Sequence, residues 1–178
     1  MLVKPNYIKI NDTFITYQKI SNLPIQLNYG WIKDIFTSDS DVTIKVTSLN
    51  EKQTQKLFNA SMLFNQMNIN GSGNKKYTSS SKMVEQEAMQ YTLDKITAEN
   101  NLMYEISILV VTKAASLKEL KQKISMNEKI ARSLKMEIKL INNKMFDEYK
   151  LSIMGNNISD DDTIFLPSSS LINGYGFT

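Results

Sequence analysis

Apolar and polar residues alternate along several short stretches of the chain, and this alternation predicts most of its strands. Residues 42–47 place Val and Ile on one side and Thr and Lys on the other, the two-residue period of a half-buried strand. Two further runs, residues 7–10 and 13–20, flank Asn11 and Asp12, a pair that tolerates the positive φ of a tight turn. The chain is therefore predicted to open with a β-hairpin that a third strand follows.

Two more strands are predicted in the second half of the chain. Residues 104–112 carry apolar side chains on both faces, which is typical of a central strand covered on both sides. Residues 136–141 alternate again between apolar and charged side chains.

Amphipathic helices are predicted between these strands. Two of them begin with the spacing of a capping box, Asn50 with Gln53 and Ser116 with Glu119. In a capping box, the side chain of each residue accepts a hydrogen bond from the main-chain N–H of the other. A more polar helix is predicted over about residues 82–99. The buried stripe of the helix after Ser116 is predicted to consist of Leu117, Leu120, Ile124, Ala131 and Leu134.

The order of these elements predicts an α+β fold. We expect a mixed, mainly antiparallel sheet with amphipathic helices packed on one face and an N-terminal β-hairpin. Shorter helical segments are predicted from Trp31 onward and over residues 143–151. Residues 1–151 are expected to form a single domain with a mobile loop at about 68–81, and residues 152–178 an extended tail or linker.

Composition narrows the classes of function. The 178 residues include neither Cys nor His, so disulfides and thiolate metal sites are excluded and acid–base chemistry lacks its usual side chain. The net charge of +3 is spread along the chain, whereas nucleic-acid binders concentrate basic residues in one patch. No apolar run approaches the roughly 20 residues that span a bilayer. These features favour a cytoplasmic protein that is neither an enzyme nor a direct binder of nucleic acid.

Three polar motifs are interpreted as ordinary loops. Residues 71–76, GSGNKK, lack the G-x-x-x-x-G-K-[ST] spacing of a phosphate-binding loop. The consecutive acids at 160–162 lack the alternate spacing of a calcium loop, and the serines at 168–170 have no His to activate them. No catalytic, cofactor-binding or metal-ligating residue is predicted.

Aromatic residues cluster near the start of the chain, at Tyr7, Tyr17, Tyr29 and Trp31. One interpretation is a binding patch for a protein partner, because Tyr and Trp dominate interface hot spots. The other is a core beneath the hairpin. Trp31 is assigned to the core, and both interpretations stay open for Tyr29.

Six segments carry a resemblance to a known family. They are FITYQKI at 14–20, YGWIKDIF at 29–36, DVTIKVTSLN at 41–50, YEISILVVTKAASLKELKQKI at 104–124, MEIKLINNKMFDEYKLSIMGN at 136–156 and IFLPSSSLINGYGF at 164–177. Their order resembles the N-terminal domain of the conjugal-transfer ATPases of type IV secretion. These are the TraE/TrbE/CagE class, or fourth VirB component, here of the kind found on Gram-positive-like mobile elements. The resemblance is one of pattern over nearly the whole chain, without a catalytic signature.

The resemblance implies a non-catalytic docking and assembly domain that anchors a motor to the inner-membrane secretion channel. It implies that the partners are channel components, the chain's own motor domain and, in a homo-oligomer, further copies of the chain. It also implies a location at the inner face of the cell membrane. ATP and Mg²⁺ would belong to the motor of the parent protein. Two alternatives are a self-contained structural or regulatory interaction module and, less favoured, a module that binds single-stranded DNA.

Overall fold

The computed structural model describes residues 1–24, 27–35, 39–60, 102–153, 158–159 and 162–175. The strands are β1 (Leu2–Lys4), β2 (Tyr7–Ile10), β3 (Thr13–Asn22), β4 (Asp41–Leu49), β5 (Met103–Ala114), β6 (Glu137–Leu140) and β7 (Ile164–Pro167). The helices are α1 (Trp31–Ile35), α2 (helical over 51–60), α3 (Leu117–Ser133), α4 (Met145–Ile153) and α5 (Ser168–Tyr175). The predicted loop at 68–81 and helix at 82–99 lie outside the described residues.

The chain divides into two compact units. The first comprises Met1–Thr47, Glu105–Leu166 and Ser170–Thr178, and the second comprises Ser48–Tyr104 with Pro167–Ser169. In the second unit, Leu49, Phe58 and Met103 form a small core against which Leu57 packs.

The seven strands form one sheet in the order β1-β2-β3-β5-β4, with β6 paired to β3 and β7 paired to β5. Strand β3 is its centre: β2 and then β6 pair along one edge, and β5 pairs along the other, all antiparallel. The predicted α+β class, with a mainly antiparallel sheet, is confirmed.

The N-terminal hairpin is also confirmed. Ile10 pairs with Thr13 across the turn, and Asn11 has a φ of 51°. Asn and Asp adopt this left-handed conformation more readily than other residues with a side chain, which explains the tight two-residue connection.

Both faces of β3 are buried, and each is covered by a different helix. On one face the Tyr17 hydroxyl lies 3.3 Å from Ser152 Oγ in α4. On the other face Gln18 Oε1 accepts a hydrogen bond of 2.9 Å from Asn127 Nδ2 in α3. The sequence pattern predicted that the helices pack on one face of the sheet. In the structure, α3 and α4 lie on opposite faces of β3.

One hydrophobic core of the first unit, called the α4 core, lies between the sheet and α4. Its buried members are Ile8, Ile15, Tyr17, Leu109, Met145 and Ile158. Burial of each large apolar side chain stabilises the fold by about 1.5–3 kcal/mol.

The predicted capping box at Asn50 is present, and the one at Ser116 differs in one bond, because Glu119 accepts from the residue before the cap. Ser116 Oγ accepts from the Glu119 N–H at 3.2 Å, while Glu119 Oε2 accepts from the Ala115 N–H at 3.0 Å. Asn50 and Gln53 exchange two such bonds, both of 2.9 Å. In each case the box satisfies main-chain donors that the first helical turn leaves without a partner.

The predicted stripe of α3 is wrong at one position. Leu120 and Ala131 are buried, but Leu117 is 38% exposed, and the polar Asn127 is buried instead. Leu117 is the first residue of the helix. Asn127 is buried because Gln18, Thr112 and Ser40 supply hydrogen-bond partners for its side chain.

The described part of residues 152–178 contains β7 and α5, where the sequence predicted an extended tail or linker. The indole Nε1 of Trp31 donates to the main-chain oxygen of Ser170 at 3.1 Å. The Gly30 N–H donates to the main-chain oxygen of Asn173 at 2.7 Å. Helix α5 is therefore held against the start of α1.

Candidate docking edge

Strand β1 is the outermost strand at one end of the sheet. Among the described strands it pairs with β2 alone, in the register Leu2↔Lys9, Val3↔Ile8 and Lys4↔Tyr7. An edge strand presents a row of main-chain donors and acceptors to any chain that can pair with it.

The residues of this edge are unusually apolar and open. Met1 is 69% exposed, Leu2 47% and Val3 43%. Exposed edges are commonly protected by charges, Pro or bulges, and here Lys4 is the one charged residue of β1. We call the residues 1–4 with the facing residues of β2 the docking edge.

The docking edge has one apolar face. Val3 lies opposite Ile8, which in turn pairs with Ile15 of the α4 core. Helix α4 packs beside β1 on this side. Its Phe146 is 36% exposed, and the ring stacks on Tyr149 with centroids 6.5 Å apart.

The opposite face of the docking edge, which we call the basic face, carries lysines and aromatic rings, and it also carries the exposed Leu2, which pairs with Lys9. Tyr7 and Phe14 lie with ring centroids 5.7 Å apart. Lys9 Nζ lies 5.0 Å from the centre of the Phe14 ring. Since Lys4 pairs with Tyr7 in the register, its side chain shares this face. In the described part of the chain, neither Lys4 nor Lys9 has an ion-pair partner.

The four aromatic residues singled out from the sequence do not form one patch. Tyr17 and Trp31 are each only 2% exposed, so both belong to the interior. Tyr29 is 62% exposed, and Tyr7 is half-buried within the docking edge. Their role in partner binding stays a prediction, which these exposures restrict to Tyr7 and Tyr29.

Sequence reasoning missed the strand that forms the edge. Leu2–Lys4 is too short to show a convincing period. The usable signal is Pro5-Asn6, a turn-forming pair directly before the alternating run at 7–10.

A buried charged cluster in the first unit was also missed. Lys19 Nζ lies 3.6 Å from Glu148 Oε1, and it donates to Ser159 Oγ at 2.6 Å and to the Ser159 main-chain oxygen at 2.7 Å. The Ser159 hydroxyl donates to Glu148 Oε1. The cluster borders a cavity of about 430 Å³ with Lys139, Lys144 and Asp162 among its lining residues.

The contacts of this cluster favour a structural role. Lys19 Nζ donates to both oxygens of Ser159, and the Ser159 hydroxyl donates to Glu148. The cluster therefore ties Ser159 to the central strand and to α4.

The remaining polar motifs are only partly covered by the described residues. Asp162 has a φ of 54° and lies 3.8 Å from Lys139 Nζ, while residues 160–161 and 71–76 lie outside the described part. Within the described ranges, no group of three acidic residues is placed to hold a metal ion. Nor does any described helix have the length and apolar character needed to cross a membrane.

No model of a known protein family matches this chain, and no curated protein is significantly similar to it.

Proposed function

We propose that this chain is a non-catalytic docking and assembly domain of a conjugation ATPase, which anchors the motor to the inner-membrane channel of type IV secretion. The observation that carries the docking role is the open edge of β1, where Leu2 and Val3 are 47% and 43% exposed. The resemblance of the sequence supplies the class of machine.

The mechanism is mechanical coupling through strand addition. A partner segment that pairs with β1 gains main-chain hydrogen bonds, while its alternate side chains contact the two faces of the docking edge. The rest of the first unit acts as a rigid support, because β1 continues through β2 into the buried strand β3.

In this proposal the chemistry resides elsewhere in the parent protein. ATP and Mg²⁺ would bind to a motor domain, and this chain would sit in the cytoplasm at the inner face of the membrane. Its partners would be channel components, the motor domain and, in a homo-oligomer, other copies of the parent.

Two measurements test this proposal: calorimetric titration of the chain with Mg·ATP, and sequencing of the gene beyond the codon for Thr178. Titration of the isolated chain with Mg·ATP should give no binding heat at micromolar concentrations, and the reading frame beyond Thr178 should encode G-x-x-x-x-G-K-[ST]. Micromolar ATP affinity would overturn the non-catalytic assignment. A stop codon would favour the alternative, a self-contained interaction module.

A further inference from the structure

We propose that the docking edge binds an extended partner segment in which acidic residues alternate with apolar ones. This inference deepens the proposed docking role and rests on it. It names the chemistry of the partner, which nothing in the resemblance specifies.

The main chain of β1 provides the pairing groups. Lys4 and Tyr7 pair directly across a two-residue loop, a position in which both main-chain hydrogen bonds are normally exchanged. Bonded and non-bonded pairs alternate along an antiparallel ladder. Val3 therefore directs its N–H and C=O away from β2, toward an added strand.

The two faces of the docking edge specify alternate side chains of that strand. A residue opposite Val3 would lie on the apolar face, the side on which α4 carries the partly exposed Phe146. Its two neighbours would lie on the basic face, one opposite Lys4 and the other opposite Leu2, at the diagonal distance from Lys4 that a long side chain spans. The minimal complementary segment is thus an acidic, an apolar and an acidic residue in succession.

Charge disfavours a second copy of this chain as the occupant. Pairing two β1 strands would bring Lys4 and Lys9 of both copies to one region, and like charges facing one another across strands are destabilising. The same two lysines attract a carboxylate-bearing strand. They lie in the described part of the chain without an ion-pair partner.

The test measures fluorescence anisotropy of labelled peptides mixed with the whole chain. The probes are a peptide of alternating Val and Glu, one of alternating Val and Lys, and a shuffled Val/Glu peptide of equal composition. The Val/Glu peptide should bind, the shuffled peptide should bind at least about tenfold more weakly, and the Val/Lys peptide should not bind.

Two sets of variants separate main-chain pairing from charge. Val3→Pro removes the outward N–H at an edge position that tolerates Pro, so binding should fall at least about tenfold while the unfolding midpoint stays close to that of the matched control Val3→Thr. The double variant Lys4→Glu, Lys9→Glu should reverse the preference, so that the Val/Lys peptide binds instead.

Several results would overturn the inference. These are equal binding of the alternating and shuffled peptides, unchanged binding by Val3→Pro, self-association through β1, or binding of a thymidine oligonucleotide in place of the peptides. Failure here leaves the proposed function standing if channel components still bind through β1. If the peptide binds and no channel component does, the proposed role in secretion is contradicted. The inference about the segment that the docking edge binds then still holds.

Discussion

Lys19 and Glu148 form a buried ion pair that joins the central strand to helix α4. Their nearest charged atoms lie 3.6 Å apart, and the two side chains are only 3% and 2% exposed. Removing two charges from water is costly, and the attraction between them compensates only when hydrogen bonds satisfy the remaining polar atoms. Ser159 contributes those bonds to both partners.

Breaking this pair on one side should destabilise the protein strongly. Lys19→Met leaves the Glu148 carboxylate buried without its counter-charge, so we expect a loss of about 3–5 kcal/mol in the free energy of unfolding. The double variant Lys19→Met, Glu148→Leu should recover much of that loss. Urea denaturation measures the stability of the single and the double variant. A Lys19→Met variant as stable as the unsubstituted chain would contradict the account.

Adding a methyl group at Gly174 should disturb the packing of Trp31. A Cβ atom there would lie 2.5 Å from Trp31 Nε1 and 2.8 Å from Ile32 Cδ1, closer than van der Waals contact allows. We expect Gly174→Ala to cost about 1–3 kcal/mol of stability. Because Trp31 is the only tryptophan, its fluorescence spectrum should shift as well.

The exposed neighbour Asn173 provides the control for this experiment. Asn173→Ala keeps the main-chain oxygen that bonds Gly30, so its spectrum and stability should stay close to those of the parent chain. Equal effects of the two substitutions would show that Gly174 has no special contact with Trp31.

Tyr17 should make the protein sensitive to alkali. Burial raises the pKa of its phenol above the ordinary value of 10.0; the hydrogen bond with Ser152 opposes this rise, while Tyr149 and Glu148 add to it. Because the pKa is raised in the folded state, the protonated phenol contributes its full share of the free energy of unfolding below pH about 10. That share is lost as the pH rises through the folded-state pKa.

Tyr17→Phe isolates this effect. At neutral pH the variant should be less stable by about 0.5–1.5 kcal/mol, because it lacks the hydrogen bond to Ser152. Above pH about 10 the difference from the parent chain should shrink, since the phenylalanine cannot ionise. Urea midpoints measured at several pH values test this, and a difference that stays constant into alkali would contradict it.

Local signals in the sequence predicted those parts of the fold that depend on neighbouring residues. The turn at Asn11 and the capping boxes at Asn50 and Ser116 each involve residues a few positions apart, so their geometry could be recognised directly. The strand over 104–112 was recognisable because apolar residues occupy both of its faces.

Contacts between distant residues could not be predicted in the same way. In the sequence Lys19 is one polar residue of a strand, and its contacts with Glu148 and Ser159 form only in the tertiary structure. Leu117 has the right spacing for the buried stripe of α3, yet its place in the first turn leaves it exposed. Strand β1 is three residues long, so its recognition depends on the pairing partner β2.

The central claim is that the β1 edge docks this domain onto the secretion channel. The most direct test co-expresses the chain with the inner-membrane channel components of a conjugation system from the same genetic element, and measures how much of each component co-purifies. The account predicts co-purification with the parent chain and with Val3→Thr, and its loss with the folded Val3→Pro variant. Equal recovery with Val3→Pro, or no recovery with any of the three, would contradict it.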